Sequence, residues 1–126
     1  MTVHLDTAFL IGALLPGSNG DRKLRRWLRA GTHVAMSAIA WAEFRCGPLD
    51  PDQAALASKL VSELLPFTAA DGETAADLYN KSGRRRGTLT DCMIAAVAIG
   101  AQAEFATANH EDFRRLVPLG LRLAAD

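Results

Sequence analysis

The chain carries 14 basic and 14 acidic side chains among 126 residues, so its formal net charge is zero. That length suits a single domain over 1–126, able to bury about two-thirds of its extended surface without a disulfide or a structural metal. A composition of 49% hydrophobic and 22% charged residues excludes a disordered chain, and the charge balance excludes a strong, indiscriminate nucleic-acid binder.

The two cysteines, Cys46 and Cys92, form no C-x-x-C pair. This argues against a disulfide framework or a cysteine zinc site and fits a reducing cytoplasm. No apolar run approaches the roughly 18 residues of a membrane span, and Met1 to Asp6 lacks the basic-then-apolar order of a secretion signal. The expectation is a cytoplasmic chain with no membrane partner.

In chain order, Val3-His4-Leu5 predicts a strand running into Asp6-Thr7, an N-cap pair before a helix over Ala8 to Leu15. Pro16 to Gly20 reads as a loop. The following helix is amphipathic, with Leu24, Trp27 and Leu28 on one face and Arg22, Arg25, Arg26 and Arg29 on the other, and Gly31 ends it. His33 to Met36 predicts a second strand, and Ser37 caps a helix that reaches Cys46 before Gly47-Pro48. Further helices are expected over Pro51 to Leu65 and Asp71 to Arg86, with a short strand at Pro66-Phe67-Thr68 between them. Thr90-Asp91 opens a nearly all-apolar helix, Cys92 to Ala101, which should be buried. Glu104 to Thr107 then reads as a strand, Glu111 to Leu116 as a helical turn, and Leu119 to Leu123 as a last strand. Crossovers this long predict an α/β domain with a mainly parallel sheet and helices on both faces.

In such a sheet, ligands bind beyond the carboxyl ends of the strands. Asp6, Asp91 and the Asn109-His110-Glu111-Asp112 stretch fall there or at adjoining helix starts, and Glu43 lies within the apolar segment Ala38 to Phe44. Each has an ordinary structural reading: Asp6 as a cap, Asp91 as a helix-dipole partner, Asn109 and Asp112 as turn and helix-start residues, Glu43 as half of an ion pair. Their joint placement at one sheet edge is the informative feature. Converging carboxylates need a counter-charge, and a hard divalent cation, Mg²⁺ or Mn²⁺, supplies it with oxygen ligands in a form suited to phosphodiester hydrolysis.

The residues also resemble a known family. Leu5-Asp6-Thr7 before an apolar helix, Trp41-Ala42-Glu43-Phe44, Leu89-Thr90-Asp91-Cys92-Met93-Ile94-Ala95-Ala96, and Ala106-Thr107-Ala108-Asn109-His110-Glu111-Asp112-Phe113 are similar, in order and spacing, to the four blocks of PIN-domain ribonucleases of the VapC toxin type. The resemblance implies a three-layer α/β/α fold with four to five short strands. It also implies a Mg²⁺-dependent (or Mn²⁺-dependent) endoribonuclease with Asp6, Glu43 and Asp91 as metal-binding acids. Asn109 then stands at the fourth position, often Asp in the family; as a neutral residue it suits orienting water or phosphate. Asp112 offers a further carboxylate, and Thr107 a hydroxyl that helps set the site. The implied partners are RNA (tRNA or rRNA), a cognate VapB-type antitoxin and a second copy of the chain.

Lys81 and Arg84-Arg85-Arg86, just before Asp91, and the arginine face of the second helix are the segments suited to phosphate contact. His4 is expected to pack within the sheet, and Trp27, Trp41, Phe44 and Phe67 to serve the core. No phosphate-binding glycine motif is present. Two other readings remain at this point: a phosphoacceptor receiver-type signalling domain, poorly supported because no Lys follows Lys81, and a PIN-like scaffold that only binds a partner.

Overall fold

Thr2–Leu5 forms β1, an inner strand of a four-stranded sheet in the computed structural model, which describes residues 1–125. The order is β3-β2-β1-β4, with β2 at His33–Ser37, β3 at Glu63–Leu65 and β4 at Glu104–Ala106, and every pairing is parallel. Val3 sits opposite Val34, His4 opposite Phe105 and Met36 opposite Leu64. Seven α-helices complete a three-layer α/β/α domain: α1 (Thr7–Ala13), α2 (Asn19–Arg29), α3 (Ala38–Cys46), α4 (Pro51–Leu60), α5 (Ala69–Lys81), α6 (Leu89–Gly100) and α7 (His110–Arg114). Helices cover both faces of the inner strands β1 and β2, so their residues are buried almost without alternation, His4 included.

Helix starts follow the local chemistry. The Ser18 hydroxyl accepts from Asp21 N at 3.0 Å, and that of Ser37 from Ala40 N at 3.0 Å. Thr68 and Asp71 close a reciprocal capping box. α6 is the most buried helix, with Cys92 and Ile94 to Ala98 all withdrawn from solvent, as its all-apolar sequence predicts. The aromatics expected in the core are there: Phe44 is 1% exposed, Trp41 tilts on it at 5.3 Å between centroids, and Trp27 stacks on Phe9 at 5.6 Å.

Several boundaries differ from expectation. The helix expected over Pro51 to Leu65 stops at Leu60, and Glu63–Leu65 is instead β3. Pairing with β2, a non-local interaction, imposes extended geometry on a segment of helix-forming composition. Pro66 to Thr68 is therefore connection and cap rather than strand. The helix expected to reach Arg86 ends at Lys81, and Gly83, at a φ of 102°, turns the chain away. Leu119 to Leu123 forms no regular strand; Val117–Leu119 is a 3₁₀ turn, and only Leu123 bridges to Phe105. There the Phe105 N–H donates to Arg122 O and the Ala124 N–H to Phe105 O, both at 2.8 Å, so the tail lies along the outer edge of β4.

Asn19 and Gly20, expected in a loop, form the first turn of α2. Gly20 is there for close approach: a Cβ on it meets the Ala13 backbone N at 3.1 Å and Cα at 3.2 Å. Gly20→Val is expected to destabilise the fold by about 1–3 kcal/mol through overpacking against backbone, read as a lower urea midpoint at unchanged m-value.

Candidate functional site

All four strands point the same way, so their carboxyl ends share one edge. The Asp6 N–H extends the β1–β4 ladder by donating to Ala106 O at 2.9 Å, which fixes Asp6 as the first residue beyond the strand. Its side chain, 5% exposed, accepts from Thr7 N at 2.8 Å and from the Thr107 hydroxyl at 2.9 Å. Thr107 Oγ1 in turn accepts from Asn109 N at 2.9 Å, tying the turn after β4 to the end of β1.

Glu43 reaches this edge from α3. Its Oε1 lies 2.9 Å from Thr7 Oγ1, a hydroxyl shared with the Ala40 carbonyl at 3.1 Å. Although it lies within an apolar segment, Glu43 is exposed, because the side of α3 that carries it faces the site rather than the core. Asp91, half-buried in the first turn of α6, and Asp112, exposed in the first turn of α7, complete the group.

The electrostatics place these acids within reach of one another. Burial raises the Asp6 carboxyl above the usual range; the hydrogen bonds from Thr107 and Thr7 pull it down, and the charges of Glu43 and Asp112 push it up. Asp91 is pushed up to about 6, chiefly by burial and then by Asp6, Asp112 and Glu43, while Arg115 opposes the rise. Arg115 is a residue that sequence reasoning missed. It caps the end of α7, and its Nε and Nη2 are buried without a hydrogen-bond partner among the described residues. Only the tertiary placement of α7 shows that its charge acts on Asp91. Thr7 was read as part of a cap, and its grip on Glu43 has no local signature.

Among the described residues, the side chains of Asn109 and of the loop arginines make no hydrogen bond to these acids. Asn109 precedes α7 with an exposed side chain that makes no cap. Arg84, Arg85 and Arg86 are exposed in the loop that enters α6; the Tyr79 hydroxyl donates to Arg84 O at 3.2 Å, and among the described residues no ion pair joins the three arginines to the acids. His4 is packed as expected, 2% exposed, with neither ring nitrogen hydrogen-bonded among the described residues; burial lowers its pKa.

The donor set fits a hard divalent cation. It is all oxygen, and the mutual repulsion of the acids, which adds to burial in lifting Asp91, is what a cation would relieve. Among the described residues no group of three such side chains is placed to hold an ion by itself, so an ion held here would complete its shell with water, as Mg²⁺ commonly does. Asp6 and Asp91, with Glu43 and Asp112 beside them, are the residues that would hold it.

The Asp91 carboxyl has a sign-definite consequence for the metal-free protein. Its folded pKa, about 6, lies above the ordinary 3.8, so its contribution to stability is present at low pH and is lost as pH rises through about 6. Asp91→Asn, which mimics the protonated acid, is expected to raise the melting temperature in EDTA at about pH 8 and to give a vanishing gain near pH 4. A gain independent of pH would contradict this electrostatic assignment.

A model of the PIN domain family matches residues 3–117. The chain superposes on VapBC2 from Rickettsia felis, solved bound to a promoter DNA fragment, with a TM-score of 0.77 and 22% identity over 98% of both chains. It superposes on VapBC from Salmonella typhimurium with a TM-score of 0.74 and 19% identity, covering 98% of this chain and 97% of that one. For VapC20 from Mycobacterium tuberculosis, a toxin that cleaves the sarcin–ricin loop, the TM-score is 0.57 at 18% identity, with 81% of this chain and 85% of that one covered. No curated protein sequence matches. The receiver reading falls with these matches, and the family model spans the described carboxylates from Asp6 to Asp112: the chain belongs to the PIN-domain family.

Proposed function

We propose that this chain is a metal-dependent endoribonuclease toxin of the VapC type, hydrolysing RNA phosphodiester bonds and held inactive by a cognate VapB-type antitoxin. The observation that carries the reading is the gathering of Asp6, Glu43, Asp91 and Asp112 at one sheet edge, where burial first and the neighbouring acids second raise Asp91 to about 6. The likeness to VapBC pairs and to a toxin that cleaves the sarcin–ricin loop supports the antitoxin partner and an RNA substrate, tRNA or rRNA. The homodimer is what the family resemblance implies, and the cytoplasmic setting follows from the cysteine usage.

Mg²⁺, or Mn²⁺ in its place, supplies activation of water, orientation of the phosphate and compensation of charge on the leaving oxygen. The chain's own residues hold that chemistry in register. Thr107 and Thr7 N fix both oxygens of Asp6, and the Thr7 hydroxyl fixes Glu43. Asp91 adds a further carboxylate from α6, whose ionised form a nearby cation would favour. Asn109, anchored through its backbone to Thr107, presents a neutral amide able to orient water or a phosphate oxygen without adding to the repulsion.

RNA cleavage by the purified chain in Mg²⁺ or Mn²⁺ tests the reading. Asp6→Asn, Glu43→Gln and Asp91→Asn are each expected to lower the rate by roughly 100-fold or more, as the loss of several kcal/mol of charge stabilisation implies. Undiminished cleavage by all three variants would overturn it. Absence of Mn²⁺ binding in calorimetry would favour the binding-only scaffold instead. Thr107→Val, which removes only the hydroxyl that orients Asp6, is expected to weaken Mn²⁺ binding by about 10–100-fold while leaving the fold intact.

A further inference from the structure

α2 is the most one-sided element of the chain in charge. Within Asn19–Arg29 stand five basic residues (Arg22, Lys23, Arg25, Arg26 and Arg29) against a single acid, Asp21, in a protein whose net charge is zero. Asp21 is engaged by Arg25 at 2.9 Å. Arg22 donates to the Gly17 carbonyl and the Asn19 side-chain oxygen, neutral acceptors that hold the guanidinium in place without cancelling its charge. Arg26 and Arg29 are exposed and have no ion-pair partner among the described residues.

The position of this charge matters more than its amount. Asn19, Arg22, Lys23 and Arg26 line one shallow hollow. Asn19 and Lys23 also line a second, which runs between α1 and α2 over Gly12 and Gly20 and reaches Thr107 and His110 at the acidic edge. The two hollows share Asn19 and Lys23, so together they extend from Thr107, which holds Asp6, past Lys23 onto the arginine face. The glycine floor that lets α2 approach α1 also keeps the path open. Arg22 and Arg26 are separated by about 6 Å along the helix axis, one turn apart.

We propose that this path is the track for single-stranded RNA flanking the cleavage point, with Arg22 and Arg26 each holding a backbone phosphate. The inference rests on the nuclease reading and adds to it the surface that grips the substrate. Guanidinium forks match phosphate oxygens, and backbone contacts of this kind bind without reading sequence. A single strand fits an open groove beside an acidic site, where repulsion by the acids is offset by cations a short distance away.

The test is fluorescence anisotropy with a fluorescein-labelled, mixed-sequence single-stranded RNA, titrated with the full chain carrying Asp91→Asn so that the probe is preserved, over a series of salt concentrations. Adding Arg26→Gln is expected to reduce the slope of log K against log salt by about 0.7, and Arg22→Gln with Arg26→Gln by about 1.4, with roughly 25-fold weaker binding near 0.1 M salt. Arg22→Lys with Arg26→Lys is expected to keep the slope. Arg122→Gln, which removes an exposed arginine beside Gln102 at the far end of α6 from Asp91, is expected to leave both readouts unchanged. Matched melting temperatures show that folding is not the cause; where the double variant melts early, Arg26→Gln alone decides. An unchanged slope in the arginine variants, an equal loss with Arg122→Gln, or a loss confined to a duplex DNA probe overturns the track. If the unsubstituted chain still cleaves RNA in that case, the nuclease reading stands without it; if that chain neither binds nor cleaves RNA, both fall.

Discussion

The hydrogen bond from the Thr107 hydroxyl to Asp6 joins residues 101 positions apart, and the site is organised around it. It spans the ends of β1 and β4, neighbours that the parallel ladder has already aligned through Asp6 N and Ala106 O. Asp6 is almost fully withdrawn from water, where a bare carboxylate is costly. The two hydrogen bonds it accepts are what keep its charge tolerable there, and they also leave the side chain a single orientation. Once Asp6 is fixed, Thr7 follows in the first turn of α1, and its hydroxyl can reach only what α3 brings across, the Ala40 carbonyl and Glu43.

The arrangement is therefore stressed electrostatically rather than sterically. Three helices and a strand end deliver acids to one place, and Arg115 is the cation that acts against the resulting field at Asp91. A stability-optimised protein would spread these charges. Retaining them at the edge of a parallel sheet, where strand ends and helix starts meet, is the pattern expected when function and stability compete.

Much of this was legible in the sequence, for identifiable reasons. β1 with Asp6, the Ser37 cap and the buried α6 are written in residues adjacent to one another, and the four blocks around Asp6, Glu43, Asp91 and Asn109 carry the family resemblance. What was not legible depends on distant neighbours. Glu63–Leu65 became a strand because β2 lies beside it, not through its own composition. Gly20 looked like a loop residue because glycine signals both a turn and close packing, and only the Ala13 backbone distinguishes them. The apolar residues around Glu43 give α3 no visible polar face, whereas the structure turns one side of that helix outward. Arg115 and Thr7 act through space, and nothing in their spacing announces it.

The tail that lies along β4 closes one side of the sheet with the chain's own backbone, through Arg122, Leu123 and Ala124. The opposite side, β3, has no such cover among the described residues, so the sheet has a closed flank and an open one. The open flank is only three residues long, carries Glu63 held to His33 at 2.8 Å, and is cut off by Pro66, which has no N–H to offer a further strand. Shortness, charge and proline together discourage edge-to-edge growth. An all-parallel sheet of four strands is thus kept from extending into a larger assembly by strand addition.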